Sequence, residues 1–108
     1  MSTSLQIFNR SDLDQAIEDY EDNSTLALST WGSDTSIWNQ NVTSLDLVFY
    51  QHNNNLPDVT EWDVSSTITL SSAFAESNFN QDISGWNVSN IIYMNGMFEN
   101  ATSFNQPI

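Results

Sequence analysis

Leu13, Ala16, Ile17 and Tyr20 stand at i, i+3, i+4 and i+7, and that spacing predicts one amphipathic helix running to about Asp22. Ser11 is the expected N-cap, with Asp14 three positions on in the manner of a capping box. Asp12, Asp14, Glu18, Asp19, Glu21 and Asp22 take the other faces, where a run of acids reads first as a solvated surface. Asn23-Ser24 ends this helix and is placed to cap a second, since Leu26, Ala27, Leu28 and Trp31 follow before Gly32-Ser33-Asp34 turns the chain.

From Ile37 onward the pattern changes to one anchored on aromatic residues. Trp38, Trp62 and Trp86 are separated by 24 residues each, and the Phe-Asn-Gln at Phe79 returns at Phe104. Apolar residues precede Phe98 at Ile91, Met94 and Met97, and the same offsets before Phe49 give Val42, Leu45 and Val48. Before Phe74 they give Thr67, Leu70 and Ala73, a weaker copy. Spacings of three and four ahead of a large aromatic predict a short helical or 3-10 turn. After each Phe come Asn55, Phe79 or Phe104, then Val59, Ile83 or Ile108. Trp86 and Val88 alternate with Asn87 and Ser89, a short strand signal.

A period of this size is the signature of a repeat architecture. The expected fold class is an α+β repeat solenoid of leucine-rich-repeat type, with coils of 24 to 25 residues carrying short strands and helical turns; the alternative is a pure β-solenoid. The chain reads as one domain, with an N-terminal helical capping unit over 1–36 and about three coils over 37–108, the last incomplete. The core is expected as ladders built from Trp38, Trp62 and Trp86, from Phe49, Phe74 and Phe98, and from Phe79, Phe104, Val59 and Ile83. The last coil stops at Ile108, ahead of a Trp due at about position 111. That stop predicts either a longer protein or an edge closed by another copy.

The run Trp86-Asn-Val-Ser-Asn-Ile-Ile-Tyr-Met-Asn-Gly-Met-Phe98-Glu-Asn-Ala-Thr-Ser-Phe104-Asn-Gln resembles the BspA-type bacterial surface-protein repeat, a module also found as a domain of unknown function in mycoplasma surface lipoproteins. The resemblance covers about 37–108 and weakens backwards, through Thr67 and Ala73 in the middle coil and Asn55 in the first. It implies a leucine-rich-repeat-like fold, display on a cell surface or secretion, a role in adhesion or recognition, and no catalytic residues.

Composition narrows the function further. Fourteen Asp and Glu face a single Lys or Arg among 108 residues, giving a net charge of −13. Binding to nucleic acid or to an anionic lipid surface draws on cationic groups that this chain lacks. Without cysteine there is no thiolate chemistry and no disulfide framework. No stretch is apolar for long enough to span a bilayer, and the first residues, Met1-Ser2-Thr3-Ser4, carry no basic leader region. Asn9, Asn23, Asn41, Asn87 and Asn100 open glycosylation sequons, but with Asn, Ser and Thr this abundant they do not establish secretion.

Candidates for chemistry are few. His52, the single histidine, lies in the polar connection Gln51-His52-Asn53-Asn54-Asn55 with no nucleophile-elbow motif to accompany it, and reads as structural. Asp58, Asp82 and Pro107 take equivalent places, so a pair of carboxylates for glycoside hydrolysis or, with nearby Asn and carbonyl oxygens, a Ca2+ site was weighed against turn residues. The turn reading is preferred, with no enzyme and no cofactor expected. The recurring Asn80 and Asn105 read as amides that satisfy backbone groups at a bend. The expected function is non-enzymatic recognition of a protein or glycan through an acidic, Asn-rich face, with Asp58, Thr60, Asn80, Asp82 and Ser84 as contacts. The alternative is an assembly module that self-associates into a homo-oligomer through its C-terminal coil.

Overall fold

The computed structural model describes residues 5–53 and 55–106. Expectations placed on Met1 to Ser4, Asn54, Pro107 and Ile108 lie outside the described residues. The molecule is elongated, 43 × 27 × 22 Å, with two helices at one end.

Helix α1 spans Arg10–Asp22 and buries Leu13, Ala16 and Ile17, the apolar stripe of the sequence. Its N-cap is Asn9 rather than Ser11. The Asn9 side chain accepts the Asp12 amide at 2.8 Å, and Asp12 reciprocates by accepting the Phe8 amide at 3.0 Å. The cap therefore lies two residues earlier than expected, because Asn caps as well as Ser, and Asp12 bonds back to the residue ahead of it. Asn23 follows α1 directly and caps helix α2, Ser24–Trp31, by accepting the Leu26 amide at 3.1 Å. Gly32 ends α2 at φ 104, a left-handed value that glycine adopts without penalty. The indole of Trp31 returns to Asp19 at 2.8 Å and ties the two helices together. A 3-10 turn, Thr35–Ile37, leads out of this pair.

Beyond it the expected fold class is corrected. Neither the α+β leucine-rich-repeat-like solenoid nor the pure β-solenoid is found, because the described residues contain no strand and no sheet. The only ladder contacts among the described residues are isolated parallel bridges joining Ser44 to Thr69 and Thr69 to Tyr93. Two local causes replace strands and helical pieces with turns. Asp58, Asp63, Asp82 and Asn87 each accept the amide two residues on, an Asx turn that takes the backbone out of an extended ladder. On either side of the phenylalanines, Leu47, Gln51, Ser72, Glu76 and Asn100 have φ between 54 and 60, and Gly96 has φ 69. A left-handed residue at every fourth position breaks a helix that apolar spacing alone would permit.

What forms instead is a set of three turn segments, 45–51, 70–76 and 94–100. The amides of Leu45, Leu47, Phe49 and Gln51 donate to the carbonyls of Thr69, Ser71, Ala73 and Ala75 at 2.8–3.1 Å. Leu70, Ser72, Phe74 and Glu76 donate in turn to Tyr93, Asn95, Met97 and Glu99 at 2.8–3.0 Å. Within each segment, i to i−3 bonds such as Val48 to Leu45 and Met97 to Met94 close successive turns.

The core lies under these segments and the inner face of α1. Phe49 stacks on Phe74 with centroids 5.7 Å apart, and Phe74 on Phe98 at 5.5 Å. Phe79 stacks on Phe104 at 6.0 Å. Offset stacking adds to the large apolar area such rings remove from water. Trp38 meets Tyr20 edge-on, while Trp62 lies against Phe49 and Trp86 against Phe74. The indoles of Trp38, Trp62 and Trp86 donate to the carbonyls of Gly32, Thr35 and Val59, which lets a polar nitrogen be buried at no cost in lost hydrogen bonds. Val59 and Ile83 are buried beside them.

Candidate interaction surface

The polar residues singled out in the sequence lie in the turns that return the chain between segments. Asp58, Asn80, Asp82 and Ser84 are exposed and Thr60 is half-buried. Their side chains are largely engaged within the fold. Asp58 accepts both the amide and the hydroxyl of Thr60, at 2.9 and 2.7 Å. Asp82 accepts the Ser84 amide at 3.0 Å, and hydrogen bonds from the Ser84 backbone and hydroxyl hold its carboxyl below the ordinary 3.8. Asn80 accepts the Asn105 amide at 2.8 Å and the Gln106 side chain at 3.0 Å. These residues act first as turn formers and as links between successive turns.

Gln81 does more than the sequence pattern suggested. Its amide nitrogen donates to the Pro57 carbonyl at 2.9 Å while its oxygen accepts the Val59 amide at 2.8 Å, so one side chain fastens two turns. Gln106 reaches the Asn80 carbonyl at 3.2 Å in a similar way. The recurrence of Gln in Phe-Asn-Gln is the signal of this role in the sequence.

His52 pairs through Nδ1 with the Glu21 carboxylate and sets its ring edge-on to Phe49 at 6.1 Å, which places it between α1 and the first turn segment. Arg10 makes the same kind of tie, to Asp14 at 2.8 Å and to the Ser44 carbonyl at 3.1 Å. Among the described residues no group of three or more His, Cys, Asp or Glu is arranged to hold a metal ion. No described helix is long and apolar enough to cross a membrane.

The surface that stands apart is the outer side of the third turn segment. Leu45 and Leu70 are buried in the first two segments, whereas Met94, at the corresponding place, is 45% exposed. Val64 is buried and its counterpart Val88 is 41% exposed. Ile92 and Tyr93 are 68% and 59% exposed, and Phe98 and Phe104 are only partly covered. A recess of about 180 Å3 opens here between Trp86, Val88, Met94 and Phe98. Contiguous apolar exposure of this kind marks interaction surfaces in folded proteins.

No curated protein and no solved structure matches the chain. The family model described as a Mycoplasma protein of unknown function, DUF285, matches residues 11–108, and the chain belongs to that family.

Proposed function

We propose that this protein is a non-enzymatic recognition module that binds another protein through the outer side of its third turn segment. The observation that carries this reading is the change in exposure at one structural place, with Leu45 and Leu70 buried and Met94 open. Apolar side chains suited to a covered position are left uncovered there, and their removal from water is the largest available driving force for association. The resemblance of the run 86–106 to BspA-type surface repeats supports the same class of function, adhesion or recognition at a cell surface or after secretion. Ser84, whose amide bonds to Asp82, lines the recess, so one acidic turn borders this surface and favours partners of opposite charge at its rim.

The test is an array of extracellular-matrix proteins and glycans probed with the chain and with Met94→Asp. The expected result is a protein ligand bound by the parent and weakened at least tenfold in the variant. Silence on every protein, or a ligand held equally by Met94→Asp, overturns the reading.

A further inference from the structure

We infer that a recess at the C-terminal end of α2 binds a small organic cation, an alkylated ammonium group seated between Trp31 and the Asp34 carboxylate. This is a second site, and it shares no lining residue with the recess of the third turn segment.

The recess is walled by residues 5–7, by the turn 31–34 that follows α2, and by residues between 37 and 41. Hydrogen bonds hold these stretches in place. The Leu5 amide donates to the Thr30 carbonyl at 2.6 Å, the Asn41 side chain to the Ile7 carbonyl at 2.9 Å, and the Trp38 indole to the Gly32 carbonyl at 3.2 Å. Walls fixed in this way shape the cavity before a ligand arrives. Its volume of about 360 Å3 lies within the range of small-molecule sites.

The lining selects the charge of the ligand. No Lys, Arg or His is part of it, so an anion would meet the Asp34 carboxylate with nothing to offset the repulsion. Asp34 is exposed. One of its oxygens accepts the Ser36 amide at 3.1 Å and the Ser36 hydroxyl, and the other has no hydrogen-bond partner among the described residues. Helix α2 ends at this recess with Trp31 and Gly32. A helix C-terminus carries negative potential, and no basic residue in the last turn of α2 answers it. The cavity beside α1 differs, because Asp14, Glu18 and Asp46 there stand with Arg10 and His52.

The aromatic walls select the kind of cation. Trp31 is half-buried and Trp38 buried, and indole is the best aromatic partner for an ammonium group. A bare divalent ion needs several oxygen ligands, and no group of three or more His, Cys, Asp or Glu among the described residues is arranged to supply them. An alkylated ammonium needs no such shell. Its charge is spread over methyl groups that pack against indole and against Ile7 and Ile37, both of which line the recess.

The experiment titrates the chain with choline and with 3,3-dimethylbutan-1-ol, which has the same shape without the charge. Sodium chloride at about 150 mM screens attraction to the acidic surface as a whole. NMR follows the indole N–H signals. Saturable shifts are expected at Trp31 and Trp38 with Trp62 and Trp86 unmoved, and the alcohol is expected to bind at least tenfold more weakly. Asp34→Asn keeps an oxygen for the turn at Ser36 while removing the charge, and is expected to weaken choline at least fivefold. Trp31→Leu is expected to weaken it as well; if that variant fails to fold, Asp34→Asn and the neutral alcohol decide. Equal binding of the alcohol marks an apolar hollow and overturns the inference. So do choline binding that survives Asp34→Asn intact, shifts that never saturate, and shifts spread over all the indoles. Met94→Asp is expected to leave choline binding unchanged, so a failure here is separate from a failure of the recognition surface.

Discussion

Thr67 buries a hydroxyl with no hydrogen-bond partner at a place where Val42 and Ile91 stand in the neighbouring segments. A buried orphan hydroxyl costs its desolvation without a compensating bond, so Thr67→Val is expected to raise stability by about 1 kcal/mol; a loss of stability in urea unfolding would contradict this. Asp82 offers a pH test at the same scale. Its folded pKa lies below 3.8 because the Ser84 backbone and hydroxyl bond to the charged form. Its contribution is therefore present above pH 3.8 and is lost as pH falls through the lower folded value. NMR titration is expected to place its midpoint below 3.8, and Asp82→Asn should keep the turn while removing that acid limb. A midpoint at or above 3.8 would contradict the bond. The turns at Asp58 and Asp82 were legible in the sequence, because Asp two residues before Thr or Ser carries its own local chemistry. The use of Gln81 was not, because its partners, Pro57 and Val59, lie more than 20 positions away in the chain.

Among the elements, α1 was the most readable, since a 3.6-residue stripe ending at an Asn is satisfied by little else. Asn23 serves both helices, its amide closing α1 on the Asp19 carbonyl at 2.9 Å and its side chain opening α2. Asn23→Ala is expected to cost about 1 kcal/mol and to lower helical ellipticity; an unchanged spectrum and melt would argue that packing alone holds the pair. The segments ahead of each Phe were expected as short helical or 3-10 turns, and the stretch near Trp86 as a strand. Apolar spacings of three and four fit a helix and a succession of turns equally well, and the choice lies in φ at Leu47, Ser72 and Gly96. Only glycine announces such a conformation in a sequence. Leu47 and Ser72 are held there because their amides bond to Ser71 and Asn95, partners that no local pattern reveals.

For the whole molecule, a net charge of −13 on a body 43 Å long sets a self-repulsion that one arginine does little to offset. Moderate salt is expected to raise the melting temperature by screening it, and a melt indifferent to salt between about 20 and 300 mM would contradict this. Composition alone determined that charge. The sequence by itself also determined which residues are large and apolar at matching places, since the interval of 24 residues between aromatic positions is covalent. The tertiary structure decided what that interval becomes. Backbone bonds between residues 45 and 69 or 70 and 93 select turns over strands, and they point alternate amides of a segment toward the next. The side on which Met94 is left exposed follows from that common direction, which is a property of the assembled backbone and not of any side chain.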